Sequence, residues 1–516
     1  SATFTWTVVS SSPNLSGQSA GSGPLIAQTI TNSGNTIEHL TYTVTPEAWS
    51  CPPGPSRKVV LTVNPRPIVN NSTTTFQICS AGSTNIIPTS SVPGSTFAWT
   101  ASGSSADVTG FSDGAGPSIV QSLTNTGYNI EAVTYQVTAT ANSCPGNATP
   151  FVVTVFPVAD VIFTPNGQAF CSGQTTGINL SSHVAGTSYT WTVTGSGASL
   201  SGYSTGSGDL IQQTLINSGP YPQTATYLVA PTAYTCPGTN NSVIVNVNPL
   251  PVVTYNLCAD PVVTLNAQPI ILKGGLPLGG AYSGAGVSAG IFTPSSAGTG
   301  AHIIAYTYNN IWGCNSFSVD TITVVNPAAF SCGNILTDIR DGQQYPTVKL
   351  GAQCWFAKNL NYGIRILSSQ AQRDNCVFEK YCSDDNAANC LVTGGMYQWD
   401  ELMQYTSASK AQGFCPPGWH VPAESDWAAL FNFYVSNGFA GSPLKYSGYS
   451  GFNAFLSGAR FNNVGFYFGN FAVMFWSSGA HGARKAWAHG MNEYNPSVSY
   501  YPSLRDHAFF IRCIKD

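Results

Sequence analysis

The chain has 516 residues, enough for several domains that each bury a core of their own. Charged residues make up only 8% of it, against about 25% in typical soluble domains, and the net charge is −4. This balance excludes the basic surface that nucleic-acid binding requires. No apolar run reaches the roughly 18 residues of a membrane span, and the fourteen cysteines include no CxxC pair, which favours disulfides in an oxidising, extracellular compartment.

The first half of the chain is a tandem repeat. Four kinds of landmark recur with steps of 93 and 92 residues, about the length of one β-sandwich domain. The recurring residues are Trp6, Trp99 and Trp191; Gly23, Gly116 and Gly208; Tyr42, Tyr135 and Tyr227; Cys51, Cys144 and Cys236.

Within each repeat the apolar residues alternate with polar ones, as in Val133-Thr134-Tyr135-Gln136-Val137. Prolines such as those of Asn64-Pro65-Arg66-Pro67 close the repeats. We therefore predict three antiparallel sandwiches, at 1–67, 68–158 and 159–251. Their Cys-Ser-Gly, Trp-Thr, Gly-Ser-Gly, Tyr and Cys-Pro-Gly series resembles the PKD-like domains of bacterial surface proteins, and the Trp between two Cys resembles an immunoglobulin-like core.

The second and third repeats begin with a head segment that the first repeat lacks. It reads Phe76-Gln77-Ile78-Cys79 in the second repeat and Ala169-Phe170-Cys171 in the third. From the repeat spacing we predict bonds between Cys79 and Cys144 and between Cys171 and Cys236, which leaves Cys51 without a partner.

The missing strands are expected to leave an open sheet edge in the first repeat. Two explanations stay open. The sequence is a fragment whose head has been lost, or it is a processed subunit whose groove a strand from a neighbouring subunit fills.

Residues 252–326 read as a fourth β-domain, for which we predict an immunoglobulin-like spacer with Cys258 bonded to Cys314. Ile303-Ile304-Ala305-Tyr306-Thr307-Tyr308 alternates as a strand, and Gly274-Gly275 and Gly279-Gly280 mark turns.

The composition then changes: the net charge is −5 before residue 327 and +1 from there on. Ordered motifs follow in 327–516, among them Lys358-Asn359-Leu360-Asn361-Tyr362, Gly395-Met396-Tyr397-Gln398-Trp399, Cys415-Pro416-Pro417-Gly418-Trp419-His420-Val421-Pro422 and Phe475-Trp476-Ser477-Ser478. This set resembles the Fibrobacter major paralogous domain, and its Trp-His-Val-Pro and Trp-Ser-Ser elements are similar to the C-type-lectin-like fold.

The resemblance implies an α+β domain with bonds between Cys382 and Cys390 and between Cys415 and Cys513. It leaves Cys332, Cys354 and Cys376, an odd number, so we hypothesise that Cys51 forms an inter-domain or inter-subunit bond with one of them. Independently, residues 424–434 read as a short helix with acidic residues in its first turn.

We find no catalytic, metal or cofactor site in the sequence. A Gly-x-Ser-x-Gly pattern at residues 17–21 recurs at 110–114 and 202–206, as a Ser/Gly loop of the repeat would, and it lacks the strand–helix context of a nucleophile elbow. His420, His481, His489 and His507 lack tight metal-ligand spacing.

One stretch mixes polar and aromatic residues in a way that suits a sugar or protein surface. By likeness to lectin-like folds, this candidate ligand surface comprises Trp487, Asn492, Glu493, Tyr494, Tyr500 and Tyr501.

The fold class we predict is mostly β: tandem immunoglobulin-like and PKD-like sandwiches followed by an α+β, C-type-lectin-like domain. We expect a non-enzymatic extracellular or cell-surface protein. The first hypothesis is a fibre subunit that forms a homopolymer through its incomplete first domain. The alternative is an adhesin whose terminal domain binds glycan or a surface protein, and a secreted enzyme is the third.

Overall fold

The computed structural model of the protein describes residues 2–326, 329–435, 440–462 and 464–516. These residues are mostly β-structure, as predicted. They separate into two compact units, one ending at Pro249 and the other beginning at Leu250.

The second repeat is a complete two-sheet sandwich. Its larger sheet runs in the order Gly114–Ala115, Thr96–Gly103, Glu131–Ala141, Thr149–Phe156 and Thr75–Cys79, with Cys144–Pro145 paired beside it. Its smaller sheet consists of Val108–Thr109, Ser122–Asn125 and Gly82–Ser83. All pairs are antiparallel except the last pair of the larger sheet, where Thr75–Cys79 runs parallel to Thr149–Phe156.

The third repeat copies this arrangement. Its larger sheet runs in the order Gln168–Cys171, Asn241–Asn248, Gln223–Ala233, Ser188–Gly195 and Gly206–Ser207, with Cys236–Pro237 beside it. The facing strands are Ile162–Thr164, Ile178–Ser181 and Leu210–Ile211, with Leu200–Ser201 paired to Ile216–Asn217.

The first repeat has a smaller sheet system. Four strands pair in the order Gly21–Ser22, Thr3–Ser10, Glu38–Glu47 and Arg57–Val63, and Leu15–Ser16 pairs with Thr31–Asn32.

Each repeat packs around the tryptophan of its first long strand. Trp6, Trp99 and Trp191 are at most 8% exposed, and each indole Nε1 donates to a serine carbonyl thirteen residues later. A Cβ added at Gly206 would lie 2.5 Å from the Trp191 ring, so only glycine lets the Ser/Gly loop approach that closely. The repeated Gly-Ser motif is therefore a packing feature of the core.

The predicted disulfides of the repeats are wrong. Cys79 is bonded to Cys236, one repeat further on, while Cys144 is free and Cys171 is bonded elsewhere than to Cys236. The reason is strand direction. Cys79 pairs with Phe156 at the far end of the last strand, roughly 35 Å along the sheet from the end where Cys144 lies.

In the second unit, residues 250–326 form the fourth domain. One sheet runs in the order Val262–Thr264, Asn315–Val325, Gly300–Asn309 and Ala281–Ser283. The shorter elements are Thr254–Tyr255 paired with Gly275–Leu276, the sheet of Ile270–Ile271, Ile291–Phe292 and Val287–Ser288, and the helix Pro294–Ala297.

The terminal domain, residues 329–516, adds helices to its sheets. A five-stranded sheet comprises Ile335–Thr337, Gln344–Leu350, Gln353–Phe356, Ile514–Lys515 and Trp419–His420. A seven-stranded sheet comprises Tyr397–Gln398, Ala508–Phe509, Ser457–Phe461, Ala472–His481, Lys485–Asn492 and Ser499–Leu504, with Gly465–Gly469 beside Ser457–Phe461. Ile364–Arg365 pairs with Glu379–Lys380.

The helical elements of this domain are Ser383–Asp385, a 3-10 turn, and the α-helices Ala387–Thr393, Trp399–Leu402, Glu424–Val435 and Gly441–Leu444. The helix predicted at residues 424–434 is confirmed. Four tryptophans fill the core almost without exposure: Trp355, Trp399, Trp427 and Trp476. A C-type-lectin-like fold stays a prediction for this domain.

Cysteine pairing in the second unit is partly as expected. Cys382 is bonded to Cys390 and Cys415 to Cys513, as the resemblance implied. The predicted bond between Cys258 and Cys314 is wrong, because Cys258 is bonded to Cys376. The Leu257 amide donates to Asp320, six residues after Cys314, which places Cys258 roughly 20 Å from that cysteine along the strand.

The remaining cysteines correct our hypothesis about Cys51. Cys332 is bonded to Cys354 within the terminal domain, and Cys376 forms the inter-domain bond with Cys258. Cys51 is exposed and free. The odd number of unassigned cysteines arose because the prediction paired Cys258 with Cys314 in its own domain.

Candidate functional site

The first candidate site is the outer side of the strand Arg57–Val63, which we call the edge strand. In the second and third repeats the corresponding strands, Thr149–Phe156 and Asn241–Asn248, carry a parallel strand on that side. We call Thr75–Cys79 and Gln168–Cys171, the strands that supply this pairing, the head strands. Among the residues that the structure describes, nothing pairs with the outer side of the edge strand.

The edge strand exposes apolar side chains that the other repeats bury. Val59 is 55% exposed and Leu61 44%. Their equivalents Phe151 and Val153 in the second repeat are fully buried, and the equivalents in the third repeat, Val243 and Val245, are at most 2% exposed. With no head strand paired to it among the described residues, the edge strand borders an apolar groove.

The backbone of the edge strand is also oriented to receive a partner. In the second repeat the Val152 N–H donates to the Thr74 carbonyl at 2.8 Å, and the Phe156 carbonyl accepts from Ser80 at 2.9 Å. Their equivalents 92 residues earlier are Val60 and Asn64. An open strand with such groups is a template for β-strand addition.

The second candidate site lies on the terminal domain, where the structure brings Trp487 and Tyr500 together. Their rings stack with centroids 4.3 Å apart and an interplanar angle of 10°. His481 contacts the Trp487 ring edge-on, and Tyr500 is half exposed. Burial, reinforced by the nearby Glu424 carboxylate, raises the pKa of Tyr500 to about 12.

Glu424 and His489 lie beneath this aromatic surface, and the sequence did not indicate them as part of it. His489 Nε2 is 3.4 Å from Glu424 Oε2, an ion-pair distance rather than a well-aligned hydrogen bond. Burial works to raise the pKa of Glu424, but polar contacts with His489, Ser477 and Tyr500 together hold it below its ordinary value. Trp487 and His489 are two residues apart on one strand and therefore lie on the same face of the sheet. This spacing is the sequence pattern that could have linked His489 to the aromatic surface.

The other four predicted ligand residues make different contacts. The Tyr501 hydroxyl contacts the Met474 sulfur on the inner side of the sheet. Asn492 caps a turn by accepting from the amides of Tyr494 and Asn495, and Glu493 and Tyr494 are exposed on that turn. Of the six residues, the structure brings Trp487 and Tyr500 into direct ring contact.

A cleft of about 820 Å³ lies within the second unit, between the fourth and terminal domains. Its walls include Asp260, Ile271, Lys273, Glu401, Tyr405 and Phe414. Across the described ranges of the chain no three side chains of the metal-binding types cluster, and no helix is long and apolar enough to cross a membrane.

Two family models match the chain. The model of a PKD-like domain matches residues 1–67, 76–159 and 168–251, and that of the Fibrobacter succinogenes major domain matches residues 348–515. No curated protein matches.

Solved structures resemble the chain only distantly. Invasin, a bacterial integrin-binding protein, is 10% identical with a TM-score of 0.30, over 99% of this chain and 92% of its own. Titin domains I67–I69 are 9% identical with a TM-score of 0.27, over 50% of this chain and 98% of theirs. The human desmocollin-1 ectodomain is 9% identical with a TM-score of 0.24, over 62% and 72%. Likeness at this level carries no argument about function.

Proposed function

We propose that this chain, which carries three PKD-like repeats followed by a Fibrobacter succinogenes major domain, is a structural subunit of an extracellular surface fibre. Its domains and its disulfides indicate an extracellular surface protein. The fibre proposal rests on one observation, the open edge strand with its exposed apolar groove. A non-enzymatic role is part of the same proposal.

The groove accepts a β-strand parallel to the edge strand. Such a strand pairs with the outward backbone groups of Val60 and Asn64 and covers Val59 and Leu61. The equivalent sheets of the second and third repeats accept strands of this chain's own sequence. We therefore take a second copy of the protein as the partner, and repeated strand addition between copies would build a fibre.

Replacing Val60 by proline tests the proposal. Proline removes the outward N–H but is tolerated on an edge strand, so the repeat itself should fold. We expect a peptide of residues 72–83, with Cys79 replaced by serine, to bind the Val60→Pro variant at least tenfold more weakly than the parent chain, as measured by fluorescence anisotropy. Val60→Thr keeps the N–H and is the control.

Fibre formation is the second measurement. Negative-stain microscopy of the native protein should show regular fibres, and Val60→Pro should give single subunits while Val60→Thr still assembles. Equal assembly of the two variants would contradict strand addition at this edge.

A second candidate function, glycan binding by the terminal domain, is supported by the stacked Trp487–Tyr500 pair above a carboxylate. Exposed aromatic faces with adjacent hydrogen-bonding groups suit sugar rings. On a glycan array we expect the full chain to bind, Trp487→Ala to lose at least tenfold in affinity, and Tyr494→Ala, on the neighbouring turn, to bind normally. Unchanged binding by Trp487→Ala would exclude this surface.

A further inference from the structure

We propose that the ligand of the Trp487–Tyr500 surface is an acidic sugar, whose anionic group binds Arg484 and Lys485 at the adjoining hairpin turn. The inference rests on the second candidate function, because it presumes that the stacked pair binds a glycan. It adds the chemical class of that glycan and the direction in which the sugar lies.

The hairpin turn adjoins the aromatic pair directly. It connects the strands Ala472–His481 and Lys485–Asn492, and His481 lies opposite Lys485 in the sheet. Lys485 and Trp487 are two residues apart on one strand, so their side chains extend from the same face, with Cα atoms roughly 7 Å apart. The ring centroids of His481 and Trp487 are 4.6 Å apart. The basic turn and the aromatic rings therefore form one continuous surface.

The cations of this turn have no anionic partner within the protein. Arg484 and Lys485 are both exposed, and neither pairs with a carboxylate in the part of the chain that the structure describes. The neighbouring Arg505 differs, because it pairs with Asp400 at 3.1 Å and also donates to the Gly482 carbonyl. Since charged residues make up only 8% of the chain, two adjacent unpaired cations are not a general property of its surface. Their charge is available to a ligand.

The opposite end of this surface is negative. His489 follows Trp487 by two residues on the same strand, and its ring stacks on Tyr500 with centroids 5.0 Å apart. The Glu424 carboxylate is 3.4 Å from the His489 ring nitrogen. Burial works to raise the pKa of Glu424, but its polar contacts hold that pKa below the ordinary value, so the carboxylate is ionised at neutral pH. The order along the strand is therefore cation, aromatic pair, carboxylate.

This order matches the polarity of an acidic sugar. Aromatic faces pack against a sugar ring, Arg484 offers paired hydrogen bonds to an oxyanion, and Lys485 offers a point charge. Placing the anionic group at the turn directs hydroxyl groups toward Glu424, which accepts hydrogen bonds. The reverse orientation would bring two negative charges together. A carboxylate and a sulfate present the same charge to these cations, so the class includes both kinds of acidic sugar.

Two matched pairs of probes test the proposal on the full chain. The first pair is the trimer of galacturonic acid and its methyl ester, and the second is a galactose trimer with and without a sulfate. By titration calorimetry at low ionic strength, we expect at least one acidic probe to bind about fivefold or more tightly than its neutral partner. The preference should shrink as salt is added, because exposed charges are screened. The acidic probe that binds more tightly identifies the anionic group.

A double variant tests the role of the turn. Arg484→Gln with Lys485→Gln should weaken binding of the preferred acidic probe about fivefold or more, to the level of its neutral partner. The matched control is Arg66→Gln with Lys349→Gln, which makes the same change in net charge at two exposed positions away from this surface. The control should keep the preference for the acidic probe.

The outcomes separate the sugar class from glycan binding itself. Equal affinity for acidic and neutral partners that is lost in Trp487→Ala overturns the acidic class and leaves the glycan function standing. A preference for acidic probes that survives in the Arg484→Gln, Lys485→Gln variant overturns the assignment of these two cations. Binding of none of the four probes also overturns the inference, and the glycan array then decides the glycan function separately.

Discussion

Glu401 is a buried carboxyl in the wall of the cleft between the fourth and terminal domains. It is 3% exposed and accepts hydrogen bonds from the Glu379 amide at 3.0 Å and from the Tyr405 hydroxyl at 2.9 Å. Burial disfavours its charge more than these two bonds favour it, and raises its pKa from 4.5 to about 7. Between about pH 4.5 and pH 7 the folded protein therefore holds a proton on Glu401 that the unfolded chain has released.

Replacing Glu401 by glutamine should remove a pH dependence of stability. Since the folded pKa lies above the unfolded one, the parent loses stability as pH rises from about 4.5 to about 7, by on the order of 2–3 kcal/mol. Glu401→Gln keeps the shape without the charge, so calorimetry of the full chain should show a higher transition temperature for the variant at pH 8 and a smaller difference at pH 5. Glu493→Gln, in an exposed turn, should change neither value.

The head strand is the element that decides whether a repeat of this type is closed. It contributes few residues, yet it determines how exposed the neighbouring strand is. Phe151 and Val153 of the second repeat, which has a head strand, are fully buried, whereas Val59 and Leu61 of the first repeat are about half exposed. Because buried apolar area contributes roughly 25 cal/mol per Å², the first repeat should be the least stable of the three when its groove is empty.

Hydrogen exchange should reveal that the first repeat is less stable than the second. In the isolated chain the amide of Val60 should exchange at least tenfold faster than that of Val152, because the Val152 N–H is bonded to the Thr74 carbonyl of its head strand. Adding the serine form of the 72–83 peptide should slow exchange at Val60 and leave Val152 unchanged. Equal protection of the two amides in the chain alone would contradict an open edge.

The strands of the repeats were predictable because alternation places residues such as Tyr135 and Val137 on one buried face. The disulfides were not, since spacing does not tell which end of a strand a cysteine occupies. Cys79 and Cys144 lie in one repeat but at opposite ends of its sheet. The open edge was predictable as well, because the repeat period places the equivalent of residues 76–79 before residue 1 of the sequence.

The sequence predicted only some of the residues at the candidate ligand surface. Trp487 and Tyr500 are on one strip of sequence and were identified, but Glu424 comes from a helix some sixty residues earlier in the chain. Only the tertiary fold places that helix under the strands, so its carboxylate carried no local signal. Tyr501, also predicted for this surface, contacts Met474 on the inner side of the sheet, because adjacent strand residues face opposite sides of a sheet.

Within the second unit, the fourth and terminal domains are joined by two ion pairs of opposite character. Arg340 is fully buried between Asp260 and Asp338, at 3.0 and 2.8 Å, and also donates to the Phe414 carbonyl. Lys273 and Asp374 meet at 2.8 Å with both side chains nearly half exposed. The first pair is part of the domain interface, and the second is solvated.

Removing Arg340 and removing Lys273 should lower the free energy of unfolding by very different amounts. Arg340→Met leaves two carboxylates buried without a partner and should cost about 3–5 kcal/mol, seen as a lower urea midpoint for the second unit. Lys273→Met removes an exposed pair and should cost at most about 1 kcal/mol. Similar costs for the two variants would show that the buried pair does not hold this interface.

Two of the long-range disulfides decide how the protein responds when it is pulled. Cys79–Cys236 and Cys258–Cys376 span 157 and 118 residues of sequence. Tension applied along the chain crosses each bond directly and bypasses the residues between. At roughly 3.4 Å per extended residue, about 500 and 400 Å of chain stay out of reach of the pulling force. Most of the second and third repeats is therefore protected from unfolding by a pulling force, whereas the first repeat lies before both bonds and has no such protection.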